Sequence, residues 1–270
     1  MPAAGAVSPR SGLRASALRS LRRRPGLGTE AAVVATWIAM LAILIGESLP
    51  DHGQRSLTLW WCMPGIGYEA HVPGHEASVA ASVAAGLPMW GLMSITTMLP
   101  AALPTVGHVA VNSLRWRRGR AVVEFLAVYL GIWIAFGAST LALLALWPSA
   151  RTGMTVAVML ALAAAWQLTP AKRRALLACH GSSPLPPRGW RATAGVVRFG
   201  RRNGLACLGS CWAMMLVMAV VTTGQVFWTA ALTGLISAEK LVRRPRRTTR
   251  RASALLAAAA FCAALIAVKI

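Results

Sequence analysis

Residues Gly204–Val221 read GLACLGSCWAMMLVMAVV. The run carries no charged side chain, and its length approaches the roughly 20 apolar residues a helix needs to cross a hydrocarbon core of about 30 Å. Inside lipid every backbone N–H and C=O must be paired within its own segment, so a run this apolar reads as a helix. It follows directly on a basic segment, Lys172–Arg202, which holds eight Lys or Arg residues. The same alternation of basic cluster and apolar run recurs along the chain, and it sets the fold class.

Working outward, the other apolar runs are Ala31–Leu49, Leu87–Ser113, Ala121–Trp147, Thr152–Leu168, Gln225–Leu241 and Ala252–Val268. The expected fold is an all-α, polytopic transmembrane helix bundle of about seven spans with a cytoplasmic N-terminus. Six spans are the alternative, with the last run in the interface or the fifth and sixth forming a re-entrant pair. Residues 1–30 read as a basic, disordered cytoplasmic tail, and 31–270 as the transmembrane domain. The first apolar run is about as long as a full span, so it reads as an uncleaved span and not a signal peptide.

Composition agrees. Of 270 residues, 56% are hydrophobic and 13% charged, and mean hydropathy is +0.58. A soluble domain carries about 25% charge, so a water-facing globule is excluded, as are disordered and disulfide-rich secreted chains. The formal net charge of +21 first suggests nucleic acid. However, 25 of the 28 basic residues fall in four clusters, Arg10–Arg24, Arg115–Arg120, Lys172–Arg202 and Lys240–Arg251, each between apolar runs. In the seven-span arrangement all four lie on one side, the pattern of cytoplasmic loops. The expected partners are therefore the lipid bilayer, anionic lipids on the cytoplasmic face and other membrane proteins, with no nucleic acid. The expected location is the cell inner membrane.

The candidate chemistry is soft. Cys207, Cys211, Met214 and Met218 follow one another at i, i+4, i+7 and i+11, one face of a helix. Thiolate and thioether ligands select Cu(I) over hard ions such as Mg or Ca. Spacing alone is equally compatible with ordinary packing, because Cys and Met are common in helix cores. In the second span, Met89 and Met93 share a face and Met98 lies off it. Pro88, Pro100 and Pro104 there predict a bent helix facing other helices. His71 and His75 are spaced for one ion, but Pro73 and Gly74 between them favour a solvated loop. The Lys172–Arg202 segment, with three prolines, reads as a stiff internal loop with an interfacial stretch around Val196–Phe199. His108 and Glu124 are candidates to pair or snorkel, and Glu239 with Lys240, at the cytoplasmic end of the sixth span, reads as a local ion pair or a water contact. Five cysteines give no disulfide framework, and no nucleophile–base pair, phosphate loop or paired carboxylates compel an enzyme.

Four blocks together resemble a bacterial family of unknown function described as predicted metal-binding integral membrane proteins. They are MWGLMSITTMLPAALP at Met89–Pro104, WQLTPAKRRALLAC at Trp166–Cys179, NGLACLGSCWAMMLVM at Asn203–Met218 and FWTAALTGLISAEKL at Phe227–Leu241. The resemblance implies metal binding; joined to the soft-ligand line on the fifth span, it gives the expectation of Cu(I) with Cys207 and Cys211 as primary ligands. Met214, Met218, Met93 and Met89 would be secondary ligands, and Cys179 with His180 would sit near the cytoplasmic mouth. At least three possible soft ligands common in that family are absent. Thr96 and Thr97 stand where its second span is richer in Met, Ala175 and Ala178 replace a Cys and a His after the Gln-x-Thr-Pro-x-Lys motif, and Ser210 replaces one of two adjacent Cys. The expectation is weakened or lost metal binding relative to the family. The contrasting reading, from another functional class, is a metal-free subunit or scaffold of a membrane complex.

Overall fold

The structure is a computed structural model that describes residues 78–147, 152–221, 225–241 and 245–269, together with five helical positions between 31 and 38. The expected first span lies almost wholly outside the described residues, and the His71/His75 loop lies entirely outside them. Among the described residues the fold is all-helical. Seven helices are traced: α1 Val79–Val111, α2 Arg118–Leu146, α3 Gly153–Leu168, α4 Pro170–Cys179, α5 Gly189–Val220, α6 Gln225–Leu241 and α7 Pro245–Lys269.

Four of them, α1, α2, α5 and the Arg247–Val268 part of α7, are long and apolar enough to cross a membrane. The α3–α4 pair, bent by 73°, would make a fifth. By itself α3 has 16 residues, a rise of about 24 Å that falls short of a ~30 Å core. The 17 residues of α6 rise only about 26 Å by the same measure. Large apolar side chains such as Val123, Leu143, Val158, Leu255 and Ile266 point outward, as hydrocarbon-facing positions do.

Local sequence explains the ends and corners. The Ser78 side chain caps α1 by accepting from Ala81 N at 3.2 Å, and the helix runs on through Pro88, Pro100 and Pro104. At the α3–α4 corner one hydroxyl serves both helices. Thr169 Oγ1 donates to Trp166 O at 2.8 Å and accepts from Lys172 N at 3.2 Å. Pro170 follows at the first position of α4, where its missing N–H costs nothing and its fixed φ suits a helix start.

The expected Lys172–Arg202 loop is largely helical. Its first part is α4, and its last part belongs to α5, which begins at Gly189 and not near Gly204. Val196 and Phe199, expected at an interface, are buried in the helical core. The reason is amphipathy: apolar residues at helical spacing pack inward while Arg198, Arg201 and Arg202 face out. α5 is the hub, packing on α2, α3, α4 and α6. α1 packs on α2 and α6, and α7 lies along α3.

Candidate metal centre

The centre is positioned by a close helix crossing. A Cβ on Gly204 would meet Ile132 Cδ1 at 2.6 Å and Tyr129 Cα at 3.6 Å, and one on Gly200 would lie 3.4 Å from the Phe125 carbonyl. Small residues here let α2 and α5 approach backbone to backbone. One turn further along α5, the Tyr129 hydroxyl consequently lies 2.9 Å from Cys207 Sγ. The same sulfur is 2.7 Å from Lys240 Nζ on α6 and 3.9 Å from Met98 Sδ on α1. Four helices converge on one thiol, which is 1% exposed.

Beside it lies a buried ion pair. Lys172 Nζ sits 2.7 Å from Glu239 Oε2 and donates to Ser210 O at 2.5 Å. Both side chains are out of solvent, at 0% and 1% exposure. Among the described residues Glu239 Oε1 has no hydrogen-bond partner, and Gln167 borders the same carboxylate. Lys240 is different. Its ammonium lies 2.7 Å from the Cys207 thiol, and Tyr129 and Cys179 share its cavity wall. A buried ammonium requires negative or strongly polar company, and here thiols and a phenol supply it.

A cavity of about 230 Å³ opens onto this cluster, with Cys207, Lys240, Tyr129, Cys179, His180 and Asn203 in its wall. The Pro104 region of α1 also lines it. His180 ties α4 to α6, with Nδ1 2.8 Å from Leu176 O and Nε2 2.8 Å from Lys240 O. Each ring nitrogen thus faces a backbone carbonyl in this arrangement.

The sulfur line on α5 is buried along its whole length, at Cys207, Cys211, Met214 and Met218, but its members meet different neighbours. Ser210 Oγ lies 3.2 Å from Cys211 Sγ, and Gln167 Nε2 donates to Met214 Sδ at 3.6 Å. Met93 is buried on α1 and Met89 is half-buried. Met98, off their stripe, is the thioether beside Cys207. Cys179 is half-buried in the shared cavity. No three His, Cys, Asp or Glu side chains come together among the described residues, so a centre here would be completed by methionine sulfur.

Two polar expectations are corrected. Glu239 does not pair with its neighbour Lys240; it pairs across the bundle with Lys172, and Lys240 turns to Cys207. His108 and Glu124 do not meet. His108 Nε2 lies 3.2 Å from Ser183 O, whereas Glu124 binds Arg117 at 2.9 Å and Arg120 at 2.8 Å. The residues that spacing did not single out are Met98, Tyr129, Gln167 and Lys172. Gln167 and Lys172 stand in the Gln-x-Thr-Pro-x-Lys block, where Thr169 and Pro170 make the corner that turns Lys172 inward.

Chemically, this is a buried thiol–thioether pair with an ammonium at its edge. Two sulfurs 3.9 Å apart would subtend about 115° at an ion ~2.3 Å from each, a metal–sulfur bond length. That donor set suits a soft monovalent ion, and the donors present therefore fit copper. No curated protein and no solved structure matches the chain. A family model described as a copper chaperone, PpoB2, matches residues 87–263, about two thirds of the chain. The matched stretch contains Met98, Tyr129, Cys179, Cys207 and Lys240. Its length is sufficient to assign membership: the chain belongs to the PpoB2 copper chaperone family.

Proposed function

We propose that this chain is a multi-pass protein of the cell inner membrane that holds Cu(I) as cargo within its helix bundle and hands it to a protein partner. The carrying observation is the buried Cys207–Met98 sulfur pair, 3.9 Å apart, at the wall of a cavity. Cys207 and Cys211 are the primary ligands in this reading. Met98 joins them, with Met214, Met218, Met93 and Met89 as further thioethers along the bundle. Cys179 and His180 belong to the cavity mouth, where copper enters or leaves.

Lys240 supports the reading electrostatically. A thiolate is the metal-binding form of cysteine, and Lys240 neutralises the charge that a thiolate carries in a low-dielectric interior. With both cysteines ionised, one Cu(I) and one ammonium leave the centre neutral, and Lys172 and Glu239 cancel separately. A neutral buried assembly avoids the large penalty of isolated charge.

The test is the copper content of full-length protein purified without oxygen, set against a Cys207→Ser/Cys211→Ser variant. About one copper per wild-type chain and almost none in the variant is the expected result. Equal copper in both would transfer the thiols to packing and favour the scaffold role. On the basic-cluster pattern, the cavity mouth at α4 faces the cytoplasm, so a cytoplasmic donor or acceptor is expected.

A further inference from the structure

We propose that a second site, at the junction of α3, α4 and α7, binds the phosphate group of an anionic lipid. A cavity of about 250 Å³ is lined there by Gln167, Leu168, Arg173, Thr249 and Arg250. The register of α3 against α7 is set by Ser253 Oγ, which donates to Ala164 O at 2.9 Å. The cavity lies one turn beyond that bond. Gln167 and Leu168 follow Ala164 along α3, while Thr249 and Arg250 precede Ser253 along α7. The 73° bend swings α4 away from the α3 axis and brings Arg173 to the rim. Two guanidinium groups from separate helices thereby border one hollow.

Among the described residues these guanidinium groups have no carboxylate partner. Residues 78–270 contain two carboxylates, Glu124 and Glu239. Glu124 is taken by Arg117 and Arg120, and Glu239 by Lys172. Among the described residues no ion pair involves Arg173 or Arg250. Arg173 makes, among the described residues, only a long contact, 3.5 Å, to Leu168 O. A guanidinium fork matches two phosphate oxygens at once, and basic pockets between membrane helices hold anionic headgroups.

The surroundings favour a lipid as the phosphate source. The hollow sits at the end of the apolar Arg247–Val268 window. From there Leu255 and Phe261 on α7, and Val158 and Leu162 on α3, are exposed. These apolar flanks would run beside the acyl chains of a lipid whose phosphate reaches the two arginines. The cavity shares no lining residue with the sulfur cavity, and Gln167 in its wall also reaches Met214.

The experiment titrates lipid into detergent-purified full-length protein and reads the thermal midpoint from tryptophan fluorescence. The probes are phosphatidylglycerol, phosphatidylcholine and inorganic phosphate. Wild type is compared with Arg250→Gln and with Arg173→Gln/Arg250→Gln. Phosphatidylglycerol is expected to raise the midpoint saturably and phosphatidylcholine to leave it unchanged. At roughly 1 kcal/mol per basic contact, the half-saturating concentration should rise about 5-fold in the single variant and about 30-fold in the double. If the double variant is not recovered, the single one carries the test. An unchanged response in the variants, or equal responses to the two lipids, would overturn the proposal. A full shift with inorganic phosphate alone would overturn the lipid assignment. The double variant should also keep its copper content, which separates this outcome from failure of the copper reading.

Discussion

Met98 and Cys207 bring a thioether and a thiol to 3.9 Å from positions 109 residues apart. Met98→Leu keeps nearly the same volume, a swap that costs less than about 1.5 kcal/mol in a packed core. The protein should fold, and Cu(I) affinity measured by competition with a chromophoric chelator should fall about 10-fold or more, the scale of losing a supporting interaction at a metal site. An unchanged affinity would remove Met98 from the ligand set. Lys172 makes a different point. Lys172→Met leaves Glu239 as an unpaired buried charge, and a loss of about 3–5 kcal/mol in stability is expected. The double change Lys172→Met/Glu239→Leu should recover most of it in thermal or denaturant unfolding. If the single variant is as stable as wild type, the pair is not buried in the folded protein.

At this scale the sequence was partly legible. The line from Cys207 to Met218 follows from 3.6-residue periodicity, and all four side chains are buried. Met98 was not legible, because the face of α1 that meets α5 depends on the register between helices, which spacing along one helix does not carry. Glu239 and Lys240 misled for a related reason. Consecutive residues on a helix do not face each other, so each found its own partner on a different helix.

Among the elements, the α2–α5 crossing and the α3–α4 corner do most to build the site. Gly204→Leu would force a side chain into Ile132 and push the two helices apart. Overpacking of this kind costs about 1–3 kcal/mol. It should also lengthen the Tyr129–Cys207 contact, so lowered thermal stability and lowered copper content are expected together. Wild-type behaviour in both would show that the helices are not so close. Helices were legible wherever apolar runs were long, as in α1, α2 and α7. Their ends were less so. The start of α5 was hidden because a run rich in arginine resembles a loop until Val196 and Phe199 are seen to share its inner side. The corner at Thr169–Pro170 was visible as a motif, but its effect, aiming Lys172 at Glu239, needed the third dimension.

For the whole molecule, exposed apolar surface and clustered arginines point to one environment. Cys262 is exposed on α7 yet falls inside its apolar membrane-length window. In intact membranes a membrane-impermeant maleimide should leave Cys262 unlabelled, and denaturant should expose it. Rapid labelling of Cys262 without denaturant would contradict the crossing of α7. The number of crossings separates what sequence can supply from what it cannot. Hydropathy marked seven runs, whereas four described helices are long and apolar enough to cross, with the bent α3–α4 pair as a fifth. The shorter runs are helical too, but their extent depends on where the chain bends.

The central claim is that copper rides on sulfur inside the bundle, at Cys207. X-ray absorption at the copper edge of anaerobically loaded full-length protein tests it directly. The expected spectrum is Cu(I) with two or three sulfur neighbours at ~2.3 Å, with one sulfur fewer in Met98→Leu. Coordination by nitrogen or oxygen alone, or the same sulfur shell after Cys207→Ser, would contradict it.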